Sequence, residues 1–255
     1  MRLAKFLAQQ GITSRRKAEE LIATGQVTVN GEVIRQQGTQ VDPQKDRVTV
    51  SGKSVSAQKD RPQLILFHKP RNVLVTKHDP QDRPTIFDYL KDLPNNFNPV
   101  GRLDFDSEGL VLLTNDGELL HQLAHPSFEV TKVYEVKVGF AGAKTLAEAV
   151  QQLRQGVSLE DGPAQPDHIT LLKENPHNQW IQINLHQGRN RIIRRMCEAV
   201  GLKVLRLKRV AIGPYQMGDL PPGRWRQETQ KTLQTGDQTP QKPSGRKSNK
   251  PLYSK

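Results

Sequence analysis

Cysteine is almost absent from the 255-residue sequence, in which Cys197 is the single example. One thiol can form neither an internal disulfide nor a zinc site built from cysteines, and we expect Cys197 to be an inert packing residue. No apolar run approaches the ~20 residues of a membrane span. The N-terminal stretch MRLAKFLAQQ is amphipathic, unlike the apolar centre of a signal peptide. These absences predict a cytoplasmic protein without a membrane segment.

Metal and nucleotide motifs are also missing. The sequence has no Gly-rich nucleotide loop, and its seven histidines, among them His121, His125 and His186, do not form a recognisable ligand motif. We therefore expect those histidines to have structural or surface roles.

Positive charge is abundant. Lys and Arg number 38 against 26 Asp and Glu, which gives a net charge of +12 and a pI near 9.9. Residues 228–255 hold six basic and two acidic residues, so +8 remains for the rest of the chain. This balance favours a polyanionic partner, and nucleic acid is the first candidate. Because residues 228–255 are polar with almost nothing to bury, we predict a disordered basic tail there.

The first 60 residues have the pattern of a small module. Apolar residues at helical spacing predict two short helices within residues 2–24, and Ser14 is a candidate N-cap of the second helix. Asn30 and Gly31 suit a two-residue hairpin turn, and RVTVSG adds a strand. The helices carry a basic set that is either an RNA-binding face or a solvated surface: Arg2, Lys5, Arg15, Arg16 and Lys17. Polar residues 55–63 suggest a linker, with a boundary near Arg61.

Residues 61–227 predict an α+β domain. Short apolar runs with β character, such as LILFHKP, VLLTN and VYEVKV, alternate irregularly with helical segments such as KTLAEAVQQLRQG. This order is typical of a mixed, mainly antiparallel sheet with flanking helices.

The stretch GRLDFDSEGLVLLTNDG at 101–117 concentrates acids in a basic chain. Asp104 and Asp106 share a face if the segment is extended, whereas Asp104 and Glu108 pair if it is helical. The acids alone favour a solvated loop, with a glycosidase carboxylate pair or a metal site as alternatives. Asp116, in the turn sequence NDG, is expected to be structural.

Several motifs together resemble a known family. The run RLAKFLAQQGITSRRKAEELIATGQVTVNGEVI resembles the alpha-L RNA-binding module of a small-subunit ribosomal protein and of tyrosyl-tRNA synthetases. GRLDFDSEGLVLLTNDG resembles the signature of the RsuA/RluB group of pseudouridine synthases. Further segments match the same group: HKPRNVLVT, TKVYEVKV, QGRNRIIRRM and LKRVAIGPY…GDLPPGRWR. Asn72 replaces the usual Gly and Ser107 the common Thr.

The resemblance implies roles for individual residues. Asp104 would be the catalytic aspartate, Arg194 its guanidinium partner and Tyr134 the ring that stacks on a flipped uracil. Leu207 would pack beneath the base. Arg189, Arg191 and Arg195 are expected to face RNA phosphates, Arg102 to contact the RNA backbone and Lys69 to contact the substrate. The residues themselves also allow plainer roles: a surface salt bridge from Arg194 to Glu198, a core tyrosine, and Leu205 in place of Leu207.

The implied activity is isomerisation of uridine to pseudouridine in ribosomal RNA, with large-subunit RNA favoured. The reaction needs no cofactor and no metal, and Asp104 would act either as a nucleophile or as a base on a sugar proton. The expected partner is ribosomal RNA or a precursor particle, and the expected state is a monomer. A catalytically silent RNA-binding or ribosome-assembly protein on the same fold is the alternative.

Overall fold

The computed structural model describes residues 1–55, 63–142, 145–173 and 179–231. The predicted linker and boundary near Arg61, and nearly all of the predicted tail, lie outside these ranges. In the described ranges, every helix is too short or too polar to span a bilayer.

The N-terminal module pairs two helices with a small antiparallel sheet. The strands lie in the order β2-β1-β3-β4, and the two helices pack on them through Phe6, Leu7 and Ile22, all buried. The elements are α1 (Leu3–Gln9), α2 (Arg15–Ala23), β1 (Val27–Val29), β2 (Glu32–Ile34), β3 (Val48–Val50) and β4 (Lys53–Val55).

Local signals in this module were correctly predicted from the sequence. Ser14 caps α2, because its Oγ accepts a hydrogen bond from the amide of Lys17 at 3.3 Å. Asn30 and Gly31 both have positive φ, at 54° and 91°, as a tight hairpin turn demands. Strand β4, which continues the RVTVSG strand after a turn, was not predicted.

The larger part of the chain forms a nine-stranded mixed sheet. Its main order is β11-β12-β8-β13-β7-β5-β15, with β14 beside β13 and β6 beside β7. Only the β13–β7 pair is parallel among the described strands, so the prediction of a mainly antiparallel α+β domain is confirmed. The strands are β5 (Leu64–Lys69), β6 (Asn98–Pro99), β7 (Glu108–Thr114), β8 (Lys132–Phe140), β11 (His168–Lys173), β12 (Gln179–Leu185), β13 (Leu202–Ile212), β14 (Tyr215–Gln216) and β15 (Trp225–Glu228).

Apolar cores lie on both faces of this sheet. Alternate residues of β5 and β7 contribute to one core or the other, since successive side chains of a strand point to opposite faces. Helices α4 (Leu146–Gln155) and α5 (Ile192–Ala199) cover one face, and α3 (Gly117–Ala124) covers the other. A separate hairpin, β9 (Val157–Leu159) with β10 (Gly162–Ala164), lies beside α5.

Strands β7 and β13 approach each other unusually closely at Gly109. A Cβ atom at this position would lie 2.2 Å from the carbonyl oxygen of Arg209, and the φ of Gly109 is +110°. Glycine is therefore required on both steric and conformational grounds. This contact fixes the strand that follows the acidic segment against the strand that carries Leu207 and Arg209.

Candidate active site

The acidic segment is a tight turn between β6 and β7. The amide of Ser107 donates to the carbonyl oxygen of Asp104 at 3.1 Å, so the chain reverses over residues 104–107. Neither the extended nor the helical geometry considered from the sequence is present. The turn separates the carboxylates and gives each a different environment.

Asp106 and Glu108 are bound to arginines. Asp106 forms an ion pair with Arg194 at 2.9 Å and accepts a hydrogen bond from Arg191 at 3.4 Å. Glu108 is buried at the start of β7 and pairs with Arg206. Asp104 is paired more loosely, because its closest guanidinium is that of Arg191 at 3.7 Å.

The predicted pairing of Arg194 with Asp104 is therefore wrong for this structure. The turn places Asp106, and not Asp104, at Arg194, whose Nη2 also donates to Ser107 Oγ at 3.4 Å. Burial is the main cause that lowers the pKa of Arg194, while Asp106 and, more weakly, Asp104 oppose this shift. These contacts replace the alternative surface salt bridge from Arg194 to Glu198.

Helix α5 presents Arg194 as its sequence pattern predicted. Ile192, Ile193, Met196 and Val200 are buried on the sheet side, and Gly201 ends the helix with φ +72°. Arg191 caps the N-terminal end in the left-handed region, with φ +46°. The side chains of Arg191 and Arg194 both reach the acidic turn from this helix end.

Lys69 lies beneath the turn and not in the substrate space. Its side chain is fully buried, at 0% exposure, and its Nζ donates to the carbonyl oxygens of Ser107 at 2.6 Å, Pro70 at 2.9 Å and Phe105 at 3.4 Å. Burial lowers the pKa of Lys69 to about 8, and Asp106, Asp104 and Glu108 oppose that shift. The predicted substrate contact is wrong, since Lys69 instead supports the backbone of the acidic turn.

The two departures from the family pattern are accommodated. Asn72 has φ +61°, a conformation that suits Gly and that Asn tolerates better than most residues. Its amide donates to the carbonyl oxygen of Phe105 at 2.7 Å, which adds a second support to the turn. Ser107 is fully buried and keeps a hydroxyl that accepts from Arg194.

Tyr134 and Leu207 face the same cavity as Asp104. Tyr134 is buried on β8 and shares a face with Val136 and Val138, as strand alternation predicted. Leu207 on β13 is also buried and lines the cavity. Leu205 is 46% exposed, because a register shift between Val204 and Arg206 breaks the alternation, so its proposed equivalence to Leu207 is wrong.

The remaining arginines of the segment have different surroundings. Arg189 and Arg195 both bind Asp161 of the β9–β10 hairpin, each at 2.9 Å. Arg189 also donates to the carbonyl oxygens of Gly162 and Pro163. Both arginines therefore hold the hairpin, and Arg189 also lines the cavity, so their predicted contacts with RNA phosphates stay a prediction. Arg102 is exposed at the cavity edge, where the prediction of a backbone contact stays open.

The cavity itself has a volume of about 1140 Å³. Asp104, Tyr134, Arg191 and Leu207 line it. Three further cations in its wall were not predicted from the sequence: Arg83, Lys132 and Arg209. Strand alternation could have identified Lys132, which lies two residues before Tyr134 on β8 and so has the same orientation.

Other predicted residues are surface or packing residues. Arg2, Lys5 and the Arg15–Lys17 cluster are all exposed on the N-terminal module. Cys197 is fully buried, and burial raises the pKa of its thiol to about 12. Asp116 caps α3 by accepting from the amides of Glu118 and Leu119, which agrees with its expected structural role.

Comparison with known families agrees with this geometry. Residues 63–199 match the family model described as RNA pseudouridylate synthase, and residues 1–48 match the S4 domain. An uncharacterised RNA pseudouridine synthase of Aquifex aeolicus is 45% identical over 91% of this chain and 92% of its own length. Ribosomal large subunit pseudouridine synthase B of Bacillus subtilis is 42% identical over 82% of this chain and 84% of its own length.

A solved structure supports the same assignment. The crystal structure of a pseudouridylate synthase superposes with a TM-score of 0.60 at 27% identity, covering 90% of this chain and 96% of that one. The chain therefore belongs to the RNA pseudouridine synthases, in the RsuA/RluB group that carries an N-terminal S4 domain.

Proposed function

We propose that this pseudouridine synthase acts on a uridine of ribosomal RNA and that Asp104 is its catalytic carboxylate. The observation that carries the assignment is the unequal pairing of the three acids. Asp104 lines the cavity, at 31% exposure of its side chain, with its nearest guanidinium 3.7 Å away. Asp106 is ion-paired with Arg194 and accepts a hydrogen bond from Arg191, and Glu108 accepts hydrogen bonds from Arg206. Asp104 thus has an oxygen free for the substrate.

The reaction suits one carboxylate. The bond from the ribose C1′ to the uracil N1 breaks, the base rotates, and C1′ bonds to C5; the C5 proton is lost and N1 gains one. Atoms and electrons balance without a co-reactant. Asp104 acts either as a nucleophile or as a base on a sugar proton, and both routes require its ionised form.

The neighbouring side chains have complementary roles in this proposal. Tyr134 stacks on the everted uracil and Leu207 packs beneath it. Arg191 and Arg194, both at the end of α5, offset the charge of Asp104 and Asp106 when RNA excludes water. Arg102 contacts the RNA backbone at the cavity edge.

Large-subunit RNA is our proposed target in preference to small-subunit RNA. The relative in Bacillus subtilis is named for the large ribosomal subunit, and the S4 domain together with the net charge of +12 suits a ribosomal RNA or precursor particle. We further propose that the chain acts as a monomer in the cytoplasm, where that RNA is assembled.

Loss of the C5 hydrogen gives a direct test. Ribosomal RNA prepared from a strain lacking the gene, labelled with tritium at C5 of uridine, should release tritium when the purified protein is added. Sequencing of the products should then locate the pseudouridine in large-subunit RNA. Release from small-subunit RNA alone would contradict the large-subunit proposal, and release from neither would contradict a ribosomal target.

A further inference from the structure

The cavity is larger than one flipped base requires. Its volume of about 1140 Å³ exceeds the ~300–1,000 Å³ typical of pockets that hold a whole drug-sized ligand. Beyond Tyr134 it continues into a lobe between the start of β8, the end of β13 and the C-terminal end of α3. We call this the basic lobe; it is lined by Leu123, His125, Pro126, Lys132, Arg209 and Ile212, and one acid, Glu129, also lines the cavity between Pro126 and Lys132.

The strand register shows how this lobe adjoins the site of Asp104. Arg209 is the Cα partner of Tyr134 across the β8–β13 ladder, and Ile212 is the partner of Lys132. Lys132 precedes Tyr134 by two residues, about 6.6 Å along the strand. The lobe therefore starts one side chain away from the predicted stacking tyrosine.

Two cations of the lobe lack acidic partners in the described part of the chain. Lys132 Nζ donates to the carbonyl oxygens of Val130 at 2.9 Å and His186 at 3.1 Å, which leaves its third N–H unused. Arg209 is only 3% exposed, and its Nε donates to the carbonyl oxygen of Leu110 at 2.8 Å. Its Nη1 donates to the carbonyl oxygen of Arg102 at 3.5 Å. Its Nη2 is enclosed without a hydrogen-bond partner among the described residues, so Arg209 contributes positive charge to the lobe and not an open donor.

The arrangement of Lys132 and Arg209 is energetically unfavourable unless an anion balances their charge. A buried cation without a counter-charge is strongly unfavourable. Burial and the nearby charge of Arg209 lower the pKa of Lys132 to about 8, opposed by Asp167. Asp167 itself accepts from His186 Nδ1 at 2.5 Å. An RNA phosphate would supply the missing charge.

His125, which lines the lobe, belongs to a cluster of three rings. His125 packs against His121 with ring centroids 4.9 Å apart, and Phe128 meets both rings edge-on. His121 and His125 are exposed, so a ring face remains available to a nucleobase. Unpaired bases stack on such rings in many RNA-binding proteins.

We propose that the basic lobe binds a second nucleotide of the RNA, next to the target uridine, with its phosphate on Lys132, near the buried charge of Arg209, and its base on His125. This inference rests on the proposed function, since it requires an RNA in the cavity of Asp104. It adds a subsite that fixes the flanking nucleotide and thereby the orientation of the target. In this proposal, Lys132 and His125 are substrate-binding residues.

Binding to a short oligouridylate tests the subsite without turnover. All proteins carry Asp104→Asn, the probe is a labelled RNA of roughly eight nucleotides, and anisotropy gives Kd between about 50 and about 200 mM salt. Lys132→Met should raise Kd about tenfold and reduce the salt slope by about 0.7, the value for one phosphate contact to a single strand. Lys137→Met is the matched control, because Lys137 is half-buried on the same strand but does not line the cavity; it should leave both quantities near the parent's.

His125→Ala supplies an independent variant in case Lys132→Met does not fold. It should raise Kd about fivefold with an unchanged salt slope, because the substitution removes a stacking surface and leaves the buried cations in place. Photo-crosslinking with 4-thiouridine in the same oligomer should label residues 121–130 in the Asp104→Asn protein and lose that label with Lys132→Met. A parent-like salt slope for Lys132→Met, a parent-like Kd for His125→Ala, or no label in 121–130 would each overturn the subsite.

These outcomes are separate from those of the ribosomal target. Oligouridylate contains no ribosomal sequence, so the subsite can hold when no ribosomal RNA is modified. Conversely, tritium release from ribosomal RNA with a parent-like salt slope for Lys132→Met would keep the proposed function and reject the subsite.

Discussion

Asp104 differs from Asp106 and Glu108 in how its charge is balanced. Asp106 and Glu108 each accept a hydrogen bond from an arginine, whereas Asp104 has Arg191 at 3.7 Å and faces the cavity. We expect Asp104→Asn to lower the rate of isomerisation by about four orders of magnitude or more while RNA affinity stays near the parent's. Tritium release and anisotropy on the same RNA measure the two effects.

Asp106→Asn is the appropriate comparison for that experiment. It removes one charge from the same turn but leaves the acid that lines the cavity. A smaller loss of rate, about tenfold, is expected because Arg194 loses the carboxylate with which it forms an ion pair. If Asp104→Asn turned over at the parent rate and Asp106→Asn did not, the catalytic role would belong to Asp106.

The lowered pKa of Lys69 predicts that the turnover rate falls at alkaline pH. Its ammonium donates to three carbonyl oxygens around the acidic turn, and a neutral amine has only two N–H donors. Because the pKa of Lys69 is lowered to about 8, the protonated form is present below that pH and is lost as pH rises through it. The turnover rate at saturating RNA should therefore fall as pH rises through about 8.

Substitutions at the two lysines separate this effect from that of Lys132, whose pKa is also lowered to about 8. Lys69→Met should reduce the rate about tenfold or more at neutral pH and abolish the alkaline decline. Lys132→Met should keep the decline in rate at saturating RNA, since its effect is on binding. A decline of the same size in Lys69→Met would show that another group sets the limit.

At the residue scale, motif resemblance identified more of the site residues than physical chemistry did. Tyr134 could be placed on a buried face by alternation alone, and it is found there. The partner of Arg194 could not be predicted, because it depends on the turn over residues 104–107. This turn places Asp106, instead of Asp104, beside Arg194. Likewise, Lys69 shows no sign in the sequence that it is fully buried.

At the element scale, Gly109 joins the acidic turn to β13. We expect Gly109→Ala to lower the free energy of unfolding by about 3 kcal/mol or more, because its Cβ would lie 2.2 Å from the carbonyl oxygen of Arg209 and its φ is +110°. Gly142→Ala isolates the backbone cost, since Gly142 has φ +120° with nothing within 4 Å; a loss of about 1 kcal/mol is expected there. Urea unfolding measures both, and equal losses would show that the close approach to Arg209 can relax.

Helices and hairpins were more predictable than the details of long strands. Ser14, Asn30 and Gly201 are local signals that act within a few residues, and each has its predicted role. The bulge at Val204–Arg206 depends on pairing with β8, far away in the chain, and it turns Leu205 outward. Strand order across the nine-stranded sheet is likewise fixed by non-local pairing that periodicity does not report.

At the scale of the whole molecule, charge and core are divided between two units. The apolar core of the N-terminal module is composed of residues between Leu3 and Val55, while the cores of the sheet domain begin at Leu64. The sheet domain should therefore fold without the module. Residues 1–60 contain ten basic and six acidic residues, so they supply +4 of the net charge of +12.

Deletion of residues 1–60 is expected to weaken RNA binding while the rate at saturating RNA stays within about threefold of the parent's, because the acidic turn, Tyr134 and α5 are all retained. The salt slope should decrease by about 0.9 for each duplex phosphate contact that the module makes.

Replacing Arg15, Arg16 and Lys17 together with Ala tests the exposed face of α2 without removing the module. Anisotropy at several salt concentrations measures both variants. If the deletion left the slope unchanged, the module would not contact phosphates; if the deletion lowered the slope but the triple variant did not, the contacts would come from a part of the module other than α2.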